Sequence, residues 1–265
     1  MNNIPQVHTT QPQTKAELYD LIKAEIKKKG NLCDLNHIDV SLVNSFSYLF
    51  NYSEFNGDIS SWDVSRVTDM SSMFEYSKFK GDISKWDVSS VTDVQNMFAF
   101  SEFNGDISVW DVSKVQNMQR LFVQSKFNGD ISKWDVSKVQ NMRSLFSQSK
   151  FNGDISKWNV SAVKNMSLMF YGTEFSGNLS GWDVSSVKDM SFMFCGSKFN
   201  GDISGWDRFS VIDDKDMFLS SEIEKKLGIG SPSFEQVKSH FLSLKLEVDL
   251  KDTSPEQSQA SKVRL

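Results

Sequence analysis

Residues 55–78 read FNGDISSWDVSRVTDMSSMFEYSK, and residues 79–102 read FKGDISKWDVSSVTDVQNMFAFSE. The second stretch is the first moved along by 24 positions, and the period continues without a slip. All 7 tryptophans obey it, at Trp62, Trp86, Trp110, Trp134, Trp158, Trp182 and Trp206. Phenylalanines keep the same register from Phe50 to Phe218 and from Phe55 to Phe199, glycines from Gly57 to Gly201, and valines from Val67 to Val211. A degenerate half-unit precedes them, with Ile38, Asp39, Val40, Val43, Phe46 and Phe50 in step. A fixed period of this length marks a stacked-repeat architecture, because one unit cannot bury its own apolar face and stacked units can.

Two periodicities share the unit. Val67, Met70, Met73 and Phe74 fall at steps of three and four, which predicts a short helix. Ser65 stands before them as its N-cap. Trp62 and Val64 alternate with polar neighbours, which predicts a short strand. Asn56-Gly57-Asp58 reads as a turn with Gly57 free to take positive φ. The expectation is an α/β repeat solenoid in which parallel short strands and short helices stack into columns. Each unit offers eight apolar positions, Phe55, Ile59, Trp62, Val64, Val67, Met70, Met73 and Phe74. Burial of each is worth about 1.5–3 kcal/mol, so the tryptophan and methionine columns read as core.

The ends depart from the period. Residues 15–37 are expected to hold an N-terminal capping helix, with Leu18, Ile22 and Ile26 on one face and Gly30 as its stop. The solenoid itself spans 38–218, a half-coil plus seven units. Near its end Asp214 replaces an expected methionine and Arg208 an expected valine. Residues 219–250 read as a C-terminal cap carrying Phe234, Val237, Phe241 and Leu244. The polar stretches 1–14 and 251–265 are expected to be a flexible arm and a disordered tail.

Composition excludes several classes. With 2 Cys and 3 His the chain is neither a disulfide scaffold nor a cysteine- or histidine-based metal centre. No apolar run is long enough to span a membrane. A net charge of -5 argues against nucleic acid as the main partner. Residues 1–14 lack the apolar core of a secretory signal, and no lipidation motif occurs. A cytoplasmic or non-classically exported chain is therefore expected, with Cys33 and Cys195 as free thiols.

Two aspartate columns, from Asp58 and from Asp63, invite a calcium ladder. Turn capping explains them better, since Asn178 and Asn159 are tolerated in them. No catalytic motif is present, and repetition multiplies a residue where catalysis needs one asymmetric constellation. Neither an enzyme, a cofactor nor a metal is expected. Positions that vary between coils are free to specify a partner. Tyr52, Tyr76, Phe100, Arg120, Arg143, Tyr171 and Phe192 carry the aromatic and arginine types enriched at interface hot spots, and they form the candidate partner-binding face.

The unit F-N-G-D-I-S-x-W-D-V-S-x-V-x-[DN]-M-x-x-M-F, as in Phe55 to Phe74, resembles the repeat of the BspA-like bacterial surface proteins, leucine-rich-repeat relatives first described as mycoplasma repeat proteins. The resemblance covers residues 38–218. It implies a leucine-rich-repeat-like solenoid, a surface location, and a non-enzymatic protein-interaction scaffold used in adhesion or host contact. The alternative is an intracellular effector, inhibitor or immunity-type protein that binds one specific target.

Overall fold

The computed structural model describes residues 10–207 and 209–252. Arg208, residues 1–9 of the expected arm and residues 253–265 of the expected tail lie outside them. Among the described residues there are three helices, α1 (Lys15–Lys29), α2 (Glu222–Leu227) and α3 (Phe234–Asp252), and no β-strand. None of the three helices lies in the repeats. The expected α/β solenoid of parallel strands and short helices is therefore not what the chain forms. Its coils are built of turns and joined by isolated parallel bridges, from Ser45↔Asp69 through Asp189↔Asp213.

Backbone hydrogen bonding shows why neither regular element appears. In the coil that follows Asp69, the N–H groups of Met70, Ser72, Phe74 and Tyr76 donate to the carbonyls of Asp93, Gln95, Met97 and Ala99 in the next coil, at 2.8–3.0 Å. The intervening N–H groups of Met73, Glu75 and Ser77 turn back onto the carbonyls of Met70, Ser72 and Phe74, at 3.2–3.3 Å. The carbonyls of Asp69, Ser71, Met73 and Glu75 in turn accept from Phe46, Tyr48, Phe50 and Tyr52 of the coil before. Alternate donors thus serve the neighbouring coil and their own coil. A parallel strand would return a bond to its neighbour at each step, and an α-helix would bond four residues back. This half-ladder satisfies the segment in a third way.

The half-ladder needs left-handed residues. Ser72 and Tyr76 have φ of 54° and 55°, and every later coil repeats both positions. A right-handed helix cannot pass through them. Met70, Met73 and Phe74 still point inward, each 0% exposed, at the spacing a helix would have given them.

Three Asp or Asn side chains per coil close the corners by accepting the N–H two residues on, and in the first full coil all three sequences are Asp-x-Ser. Asp58, Asp63 and Asp69 accept from the N–H groups of Ser60, Ser65 and Ser71 at 2.9, 3.1 and 2.9 Å. Ser65 therefore caps no helix; its hydroxyl also donates to Asp63. In the first column, the serine N–H bonds hold Asp58, Asp82, Asp106, Asp130 and Asp154 below the usual carboxylate range. A carboxylate depressed on folding stabilises above its unfolded value, about pH 3.9, and that contribution is lost as pH falls through the folded value. The melting temperature should hold steady down to about pH 5 and fall below about pH 4. Asp106→Asn with Asp130→Asn should blunt that fall, because Asn178 already makes the same bond to Ser180 at 2.9 Å.

The glycine column does not serve a positive φ. A Cβ on Gly129 would lie 2.9 Å from the ring of Phe127, which is 0% exposed. Glycine is needed there for space. The tryptophans pin coil to coil: each is at most 6% exposed, and its indole N–H donates to the carbonyl 27 residues back, at 2.8–3.2 Å.

Helices cover the apolar core at both ends. At α1, Thr14 is the N-cap and accepts from the Glu17 N–H, while Glu17 accepts from the N–H of Gln13, one residue before the cap. Leu18 and Ile22 are buried against the first coil. Thr10, within the expected arm, bridges Ile38 in parallel. The C-terminal cap is two helices. Phe234, Val237 and Phe241 of α3 are buried, and Lys238 and Lys245 donate to the Trp206 carbonyl and to Ser204. Leu244 of the expected stripe is exposed, as are Leu246, Val248 and Leu250.

Candidate functional site

The left-handed positions form two columns along the stack, with Ser72 and Ser144 buried and Tyr48 and Tyr52 exposed. One is Tyr48, Ser72, Asn96, Arg120, Ser144, Leu168, Phe192 and Asp216, with φ between 51° and 61°. The other is Tyr52, Tyr76, Phe100, Gln124, Gln148, Gly172, Gly196 and Ser220, with φ between 49° and 66°. The core fills every coil alike, and these two columns change from coil to coil.

Five of the seven candidate face residues, Tyr52, Tyr76, Phe100, Arg120 and Phe192, stand in these columns. The structure brings four of them together. Tyr52 stacks on Tyr76 with ring centroids 4.5 Å apart, and Tyr76 on Phe100 at 4.3 Å. The Arg120 guanidinium lies 5.9 Å from the Phe100 ring and prolongs the row. Tyr52 is 70% exposed and Tyr76 39%. Partial burial and the neighbouring Tyr52 push the Tyr76 phenol above its ordinary value. The row continues in amides, Gln124 donating to Gln148.

Arg143 and Tyr171 belong to neighbouring columns, where their carbonyls accept from Arg120 at 2.9 Å and Gln148 at 2.7 Å. Arg143 is exposed and Tyr171 half-buried. Phe192 and Tyr171 sit farther along the stack than the aromatic row. The columns therefore divide into an aromatic end, a polar middle and a second, looser apolar end. The tryptophan columns contribute nothing to this surface.

A non-glycine residue held left-handed carries a cost of about 1–2 kcal/mol. Only Gly172 and Gly196 avoid it within the columns. Gly196→Ala tests the backbone alone, because the new Cβ would meet nothing nearer than the Gly172 Cα at 3.9 Å. Thermal or urea melts should show a loss of about 1 kcal/mol, and no loss would mean the left-handed geometry is slack.

Sequence reasoning missed a groove at the N-terminal end of the row. It runs between α1 and the first coil, on either side of Tyr19, with Lys15, Lys23, Tyr48, Leu49, Asn51 and Tyr52 along it. No signal in the repeat announces it, since it arises where the repeat meets the helix.

No curated protein and no solved structure matches this chain. One family description does, Mycoplasma protein of unknown function, DUF285, and it matches residues 20–126, 95–175 and 122–229. Together these matches take in the half-coil, all seven units and the start of the C-terminal cap. The chain belongs to this DUF285 family of mycoplasma-type repeat proteins.

Proposed function

We propose that the chain is a non-enzymatic protein-interaction scaffold and that it binds its partner through the two left-handed columns. One observation carries this reading. At Tyr52, Tyr76, Phe100, Arg120, Leu168 and Phe192 large side chains stand where glycine would be the relaxed choice. None of them is among the fully buried core residues. Strain of this kind clusters at ligand-binding surfaces, and that supports the reading. Adhesion or host contact is the role we assign to that binding, and it rests on the resemblance of the repeat to bacterial surface proteins.

The double change Tyr76→Ala, Phe100→Ala tests the face. Immobilised protein is offered native-cell lysate and host extract. The reading expects a protein held by the unchanged chain and released by the variant, with the melting curve little altered. Equal retention by both would exclude the aromatic row. Loss of the fold in the variant would mean that the row only packs neighbouring coils together.

A further inference from the structure

The stack is unfinished at its N-terminal edge. In every later coil the carbonyls equivalent to Ser47, Leu49 and Asn51 accept an N–H from the coil before; Ser71, Met73 and Glu75 accept from Tyr48, Phe50 and Tyr52. Among the described residues no donor reaches the carbonyls of Ser47, Leu49 and Asn51 themselves. The aromatic row also stops there. Tyr52 stacks on Tyr76, and it also lines the groove beside Tyr19. The groove is an open space of about 210 Å³ on one side of Tyr19 and 400 Å³ on the other, with Lys23 and Lys15 beside it.

Resting on the face assigned above, we infer that this edge takes a segment of the partner polypeptide in the turn-ribbon form of the coils, acidic and bearing one aromatic residue. Its backbone supplies the missing donors to Leu49 and Asn51, as added strands do at exposed edges. Its ring continues the row beyond Tyr52, at the spacing of about 4.4 Å already set by the Tyr52–Tyr76 and Tyr76–Phe100 stacks. Its carboxylate meets Lys15 or Lys23. Its inward side chains are small, because Leu18 and Ile22 of α1 already cover that end of the core.

The chain contains a template for such a segment. Residues 71–77 lay Tyr76 on Phe100 and pass N–H groups to the next coil. The probe is the peptide acetyl-Ser-Ser-Ala-Ala-Glu-Tyr-Ser-amide, which copies that stretch with Met73 and Phe74 shortened to alanine. Titrated at millimolar concentration into the full-length protein, it should shift the amide resonances of Asn51, Tyr52 and Ser53. Changing its tyrosine to alanine, or methylating the tyrosine nitrogen, should each weaken binding about tenfold, the loss of one ring stack or one hydrogen bond. Lys23→Glu in the protein should weaken the parent peptide. No shift with the parent peptide, or equal binding by the tyrosine-methylated one, overturns the inference. If capture by the left-handed columns survives that result, the face stands and only the groove is lost.

Discussion

Trp134→Ala should cost about 3–5 kcal/mol, read as a fall in the urea midpoint. Trp134 is 5% exposed and lies between coils, with its ring 6.3 Å from that of Phe122. Truncation opens a cavity at the middle of the stack. It also leaves the Ile107 carbonyl, which now accepts the indole N–H at 3.1 Å, without that donor. Because coils touch only their neighbours, the damage cannot be shared around a globular core. Trp134→Phe separates the two terms, since it keeps most of the ring and removes the donor; about 0.5–1.5 kcal/mol is expected, because the Ile107 carbonyl keeps the Trp110 N–H at 3.2 Å. The exposed neighbour Lys133→Ala should change stability by no more than about 0.5 kcal/mol. A Trp134→Ala loss below about 1 kcal/mol would show that the tryptophan column does not hold the coils together.

Arg120→Pro should be as damaging, for a backbone reason. Arg120 has φ of 57° and its N–H donates to the Arg143 carbonyl at 2.9 Å. Proline fixes φ near −65° and has no N–H, so both the left-handed turn and the link to the next coil are lost, at about 3 kcal/mol or more. Arg120→Gly is the matched control. It relieves a left-handed cost of about 1–2 kcal/mol and gives up a guanidinium–ring contact worth about 0.5–1 kcal/mol, so melts should show little change or a small gain. The same requirement accounts for a feature of the whole chain. Its 4 prolines stand at 5, 12, 232 and 255, and none falls in the coils, where alternate N–H groups serve two different partners.

The 24-residue period made the repetition and the inward columns legible in the sequence. Trp62, Met70 and Phe74 point inward as expected; Tyr52 and Tyr76 are exposed and Phe100 is half-buried. What misled was the spacing of Met70, Met73 and Phe74. Steps of three and four describe a helix, and they equally describe a ribbon of successive turns with inward residues at the same places. The distinguishing signal was present in Asp58-Ile59-Ser60, Asp63-Val64-Ser65 and Asp69-Met70-Ser71. Three Asp-x-Ser corners in 24 residues describe a coil made of turns, because each aspartate takes the N–H two residues on. The left-handed positions were signalled only in part: Asn96, Gly172 and Gly196 mark them, while tyrosine, arginine and leucine conceal them in other coils. The groove beside Tyr19 depends on how α1 lies across the first coil, which no repeat pattern encodes.

The half-ladder is the central claim, and scalar couplings across hydrogen bonds read it directly, because they tie an amide nitrogen to the carbonyl carbon that accepts its proton. In labelled protein the Phe98 amide should couple to the Leu121 carbonyl carbon of the next coil, and the Met97 amide to Val94 in its own. The Arg120 amide should couple to Arg143 and the Leu121 amide to Met118. Couplings from Phe98 to Val94 and from Phe122 to Met118, four residues back, would restore the helix and contradict this account.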